Sequence, residues 1–213
     1  MSAIQTDIPL RKPNRARTRS EDRINITRIL LTGGPCAGKT TAIATITQDL
    51  TQMGYKVLVV PEAATLIANG GAMICTADFT EQQCLGFQLG LIKLQTALED
   101  SFIDIGQQVR NQHTVVLIDR GLLDGSAFVS KTAWQALVDE LGSSTINLRE
   151  NRYDAVVHMV TAADGAESFY ETVTNEARYN TAAESVVIDK KLREAYMGHP
   201  CWFMIDNPGC NFD

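Results

Sequence analysis

The stretch Arg28–Thr41, RILLTGGPCAGKTT, constrains this chain more than any other. Ile29, Leu30 and Leu31 read as a short buried strand. Gly33-Gly34-Pro35-Cys36-Ala37-Gly38-Lys39-Thr40 then fits G-x-x-x-x-G-K-[ST] at every fixed position. The apolar spacing of Ile43, Ile46 and Leu50 predicts a helix directly after it. Strand, glycine loop and helix together are the context of a phosphate loop. Gly33 and Gly38 permit turns that a Cβ would block, so successive N–H groups turn inward toward phosphate oxygens. The helix start adds unpaired N–H groups and a positive dipole end. Lys39 is placed to reach the β- and γ-phosphates, and the Thr40 hydroxyl to hold Mg²⁺. Gly33 to Thr41 are therefore expected to bind ATP or GTP.

The remaining pattern predicts an α/β fold. Tyr55–Val60, Thr114–Ile118, Ala155–Val160 and Trp202–Ile205 read as four further strands. Helices are expected from Thr80 to about Val109, over Trp134–Leu141, over Phe169–Arg178 and over Ala182–Tyr196. TVVLI is almost wholly apolar, which predicts a strand buried on both faces. Strands alternating with helices imply an α/β fold with a central parallel sheet of about five strands between two helical layers. Ligands in such sheets sit beyond the carboxyl ends of the strands. Glu62, Asp119-Arg120 and Asp206-Asn207 fall there beside the glycine loop.

Each candidate has a chemical role and a plainer alternative. Asp119 closes a buried strand and suits the metal side of the site, or else a turn. Arg120 suits paired phosphate oxygens, or a structural ion pair. Glu62 suits proton abstraction from a substrate hydroxyl, or the orientation of a metal-bound water. It would equally complement a helix dipole. Gln88 could offer its two-way amide to a base or sugar edge. Arg178 sits at a polar break late in the chain, where kinases of this fold carry a basic lid. Ser126 and Ser130 lack a nucleophile elbow, and the histidines 113, 158 and 199 show no metal-ligand spacing.

Composition narrows the class. The formal net charge is −6, split into +3 over residues 1–27 and −9 over the remainder, which argues against a nucleic-acid-binding body. Residues 1–27 read as a disordered basic arm, or as a contact for an anionic membrane surface through Arg11, Lys12, Arg15, Arg17, Arg19 and the rest of 11–23. Residues 28–213 form the P-loop domain. Five cysteines without a C-x-x-C pair suit reduced thiols, and no segment reads as a signal or membrane span, so a cytoplasmic location is expected.

Four motifs resemble one family. GGPCAGKTT, DRGLLDGSAFVSK with Trp134 after it, NRYDAVVHMVTAADGAESFY and GHPCWFMIDN are similar to the TRPL-translocation-defect family. That family shares its kinase-like domain with the ribosylnicotinamide kinase part of bacterial NadR proteins. The resemblance implies a three-layer P-loop NTPase fold of the nucleoside-kinase kind, nucleotide binding, with GTP the ligand considered, a protein partner and a part in membrane-protein trafficking. It places the triphosphate on Gly33 to Thr41, the metal beside Asp119 and the lid at Arg178. A looser likeness to deoxynucleoside kinases makes Phe87-Gln88 a base-reading pair and Glu62 a catalytic base. Members usually continue into a final helix and a β-rich phosphate-tunnel domain, neither of which is expected in these 213 residues. The resemblance ranks a nucleotide-dependent module first among three uses of the site, ahead of a kinase for a nucleoside-like hydroxyl and of a domain that binds nucleotide without turnover.

Overall fold

The structure is a computed structural model, and it describes residues 26–72, 79–167, 170 and 181–207. Its strands are β1 (Ile26–Gly33), β2 (Lys56–Val60), β3 (Thr114–Asp119), β4 (Ala155–Met159) and β5 (Trp202–Ile205). They form one sheet in the order β2-β3-β1-β4-β5, with every pair parallel. The helices are α1 (Lys39–Gln52), α2 (Ala63–Asn69), α3 (Glu81–Gln107), α4 (Lys131–Glu140), α5 (Thr145–Arg149) and α6 (Ala182–Tyr196), with a 3₁₀ turn at Asp124–Phe128. β1 starts at Ile26, paired with Thr114, so it reaches two residues into the stretch read as an arm. Arg178 and the expected helix over Phe169–Arg178 lie outside the described residues, as does the arm up to residue 25.

Strand alternation divides the core between two faces. Leu30, Val116, Ile118 and Val156 point to one side, against Ile92, Trp134, Leu137 and Tyr196. Leu31, Val115 and Leu117 point to the other, against Ile43. Residues adjacent in β1 and β3 thus serve opposite layers, which is why TVVLI carries no exposed polar position. On the α1 side of β5, Phe203 and Ile205 remain 58% and 52% exposed.

Helix starts follow side-chain caps. Thr80 and Thr181 each complete a capping box, with Gln83 and Glu184. Ser130 accepts from the Ala133 N–H, so α4 begins at Lys131, a turn earlier than the apolar pattern from Trp134 suggests.

A buried carboxylate on α3 is held by an arginine before β4. Glu99 is fully buried, and Arg152 Nε donates to its Oε2 at 2.6 Å. Tyr153 Oη and Gln95 Nε2 donate to its Oε1, both at 3.2 Å. Burial keeps the Glu99 carboxyl above its ordinary range even beside Arg152. Arg152→Ala should destabilise the fold by about 3–5 kcal/mol at neutral pH, because it strands a buried charge. A carboxyl whose folded pKa is raised loses stability as pH rises, so the deficit should shrink toward acid pH. Urea unfolding at two pH values measures both effects.

Candidate functional site

β1 delivers the glycine loop at the carboxyl edge of the sheet. Gly33 has φ 141°, and a Cβ there would stand 2.0 Å from the Met159 carbonyl oxygen. No other residue fits that position. Cys36 takes φ 57°, a left-handed conformation unusual for a side chain with a Cβ. Gly38, at φ 76°, leads into α1.

Lys39, the first residue of α1, is buried. Its ammonium donates to the carbonyls of Gly33 at 3.0 Å and Gly34 at 2.9 Å. Burial and the nearby Arg120 charge lower its pKa from 10.5 to about 7, and Glu62, Asp119 and Asp124 only partly offset them. Thr40 and Thr41 follow on the exposed surface of the first turn.

Two other strand ends meet this lysine. Glu62 follows β2 and starts α2. Its Oε1 accepts from Arg120 Nε at 2.5 Å and its Oε2 from the Thr65 hydroxyl at 2.7 Å. Burial acts to raise the Glu62 pKa, but Arg120, Thr65 and Lys39 outweigh it and hold the carboxyl below its ordinary range. Arg120 follows β3 with φ 64°. Its Nη1 reaches the Gly33 carbonyl and Asp124 Oδ2, each at 3.3 Å. Ringed by carboxylates, it stays charged.

Asp119 is half-buried, and its Oδ1 is enclosed without a hydrogen-bond partner. Burial, then the Glu62 charge, raise its pKa. An enclosed carboxylate oxygen without a donor is a place for a cation or a proton. Among the described residues no three His, Cys, Asp or Glu side chains gather as a metal cage. Mg²⁺ suits such a site, since it takes one or two protein oxygens and fills the rest with phosphate oxygens and water. Asp119 and the Thr40 hydroxyl are the groups that could hold it.

The structure thus brings Lys39, Glu62, Asp119 and Arg120 together. Asp206-Asn207 does not join them in the same way. The Asn207 amide donates to the carbonyls of Thr161 and Asp164, both at 2.9 Å, and staples the turn after β4. Gln88 is 7% exposed, with its Oε1 enclosed and unpartnered beside Gly125 and Trp134. A shallow groove of about 360 Å³ between α3 and α4, lined in part by Leu85, Leu89 and Leu137, shares no residue with the ion cluster.

Three participants were not singled out from the sequence. Buried Asp124 accepts from Thr32 Oγ1, the Gly121 N–H and Tyr196 Oη, and pairs with Arg120. Gln95 accepts from the Ala63 N–H at 3.4 Å and donates to the Arg120 carbonyl at 2.9 Å. It therefore ties the end of β2 to the end of β3, the two segments that carry Glu62 and Arg120. Asp189, on α6, accepts the Gly34 N–H at 2.9 Å. The available signal was weak: the second acid of Asp-Arg-Gly-Leu-Leu-Asp for Asp124, and an apolar helix face interrupted by a glutamine for Gln95.

Among the described residues no helix is long and apolar enough to cross a membrane. No curated protein matches the chain by sequence. Solved structures do match it in fold. A thymidylate kinase from Candida albicans aligns with TM-score 0.59 and 17% identity, over 87% of this chain and 85% of that one. A thymidylate kinase from Ehrlichia chaffeensis aligns with TM-score 0.57 and 12% identity, over 89% and 91%. A deoxyadenosine kinase from M. mycoides with bound dATP aligns with TM-score 0.46 and 19% identity, over 85% and 91%. The thymidylate kinases share with this chain the three-layer α/β/α fold of P-loop kinases. A family model described as an AAA domain matches residues 28–211, and the chain belongs to that family.

Proposed function

We propose that this chain binds a nucleoside triphosphate, ATP or GTP, with Mg²⁺ on Gly33 to Thr41, and transfers the γ-phosphoryl group to the hydroxyl of a small acceptor. The observation that carries this reading is the meeting of Lys39, Glu62, Asp119 and Arg120 at three strand ends, with Glu62 and Arg120 2.5 Å apart. A carboxylate and a guanidinium opposite the lysine supply the two groups that transfer to an acceptor would use, one for the proton and one for the charge on the moving group.

The chemistry follows from the charges. Lys39 and the loop N–H groups hold the β- and γ-phosphates. Mg²⁺, when bound beside Asp119 and Thr40, would neutralise charge on those phosphates. The acceptor oxygen forms a bond to the γ-phosphorus, and the bond from that phosphorus to the bridging β-oxygen breaks. The nucleoside diphosphate leaves with the electron pair. The acceptor proton passes to Glu62, which is ionised; Arg120 and Thr65 hold its carboxyl low and make it a weak base, so it takes the proton only as the phosphoryl group moves. Arg120 orients that carboxylate and stabilises charge on the transferred group. Gln88 would contact the acceptor only after turning its enclosed amide outward.

Asp119→Asn tests the metal side. It keeps size and removes charge, so Mg²⁺ should tighten triphosphate binding in wild type and do so much less in the variant. Equal wild-type affinity in EDTA and in Mg²⁺ would remove Asp119 from this role. The resemblance to the TRPL-translocation-defect family supports a second use of the same site, as a nucleotide-dependent module in membrane-protein trafficking. A protein partner captured with one nucleotide and released with the other would favour it. Phosphoryl transfer in an acceptor screen with labelled ATP and GTP would favour the kinase.

A further inference from the structure

The phosphate loop has a second set of attachments, apart from the ion cluster, and they come from α6 and from the turn after β4. Asp189 is 1% exposed. Its Oδ1 accepts the N–H of Gly34 at 2.9 Å and of Thr161 at 3.2 Å. Its Oδ2 faces His158 Nε2 and Arg193 Nη2, both at 3.3 Å. Thr161 Oγ1 donates to the Pro35 carbonyl at 2.5 Å, and the Ala162 N–H to the Cys36 carbonyl at 3.3 Å. Three successive loop residues are therefore held from the β4 and α6 side.

The Gly34 N–H belongs to the same planar peptide as the Gly33 carbonyl. In a trans peptide these two groups point in opposite directions. One end of this peptide rests on Asp189. The other end receives Lys39 Nζ at 3.0 Å and Arg120 Nη1 at 3.3 Å. A peptide between two glycines has little intrinsic preference and turns over readily unless both ends are tied. A Cβ on Gly34 would stand 2.9 Å from Asp189 Oδ1, so the backbone reaches the carboxylate only because that residue is glycine.

We propose that Asp189 is a positioning residue for the phosphate loop: by accepting the Gly34 N–H it fixes the Gly33–Gly34 peptide whose carbonyl aims Lys39. This rests on the loop being a triphosphate site. The test is Mg²⁺–ATP and Mg²⁺–GTP affinity for wild type, Asp189→Ala, Asp189→Glu and Asp189→Asn, with the Gly34 amide resonance followed by NMR. Ala removes the acceptor, and Glu keeps the charge but displaces it by a methylene. Both should bind about tenfold more weakly or worse. Asn retains an acceptor oxygen, so its affinity should stay within about threefold of wild type. The hydrogen-bonded shift of the Gly34 amide should persist in Asn and vanish in Ala and Glu. A merely structural aspartate would change melting temperature without this ordering. Should Asp189→Ala not fold, Glu and Asn carry the comparison. A folded Ala or Glu variant with wild-type affinity, or an Asn variant as weak as Ala, overturns the proposal. If wild type binds no triphosphate, the reading of the loop fails instead, and the amide shifts alone decide whether Asp189 anchors the peptide.

Discussion

Lys39→Ala should weaken triphosphate binding by about tenfold or more, since a charge-assisted contact typically contributes about 1.5–3 kcal/mol. The effect should depend on pH in a definite direction. In the free protein, burial and Arg120 bring the Lys39 pKa down to about 7. An arriving triphosphate supplies negative charge and raises it again. Only the protonated lysine makes the charged contact, so above pH 7 binding must recapture a proton. Wild-type affinity should therefore fall as pH rises through that range, and Lys39→Ala should lack this component. Folding stability should move the opposite way. Between about pH 7 and the ordinary value of 10.5 the unfolded chain holds a proton that the folded chain has released, so stability rises with pH. Wild type should gain on Lys39→Ala across that window in paired urea titrations. Calorimetry in buffers of different ionisation enthalpy reads proton uptake directly. A Lys39→Ala protein with unchanged affinity would remove the lysine from the site.

Glu62→Gln should lower phosphoryl transfer by about 10²–10⁴ while leaving triphosphate affinity close to wild type. Glutamine keeps the shape and can still accept from Thr65, but it cannot take the acceptor proton and it breaks the ion pair with Arg120. Loss in the maximal rate with little change in triphosphate affinity is the signature of a group that acts during transfer. A nucleotide-dependent module gives another pattern: Glu62→Gln then alters affinity or intrinsic hydrolysis with no acceptor present. Transfer and hydrolysis are measured side by side in wild type and variant. If neither rate nor affinity moves, Glu62 is a helix-start acid that complements a dipole, and both roles fall.

Much of this arrangement was legible in the sequence because the information is local. The phosphate loop is contiguous, and its glycines carry their reason in the backbone. TVVLI announced a central strand, and β3 lies between β2 and β1. Glu62 and Asp119-Arg120 stood out as candidates because they lie at or just past strand ends, the position where this fold gathers ligands. What stayed hidden depends on distant partners. The Gly34 and Asp189 contact spans 155 residues, and that of Thr32 and Asp124 spans 92. A single aspartate or glutamine in a helix reads as a surface group until the facing element is known. Gln95 is one example, since its value lies in touching Ala63 and Arg120 at once. Asn207 misled in the opposite sense: it stands at a strand end like the others, but its amide is consumed by backbone carbonyls. Short elements were missed for a related reason. α5 has five residues, too few to display a period, and Ser144 is its principal local signal.

Everything proposed for this site requires that Gly33 to Thr41 form a working triphosphate site around Lys39. Calorimetric titration of the wild-type chain with ATP and GTP, each with Mg²⁺ and with EDTA, beside folded Lys39→Ala, tests it most directly. Wild type should show saturable binding of at least one triphosphate, tightened by Mg²⁺ and weakened about tenfold or more without Lys39. No binding of either triphosphate, or binding indifferent to the loss of Lys39, would contradict it.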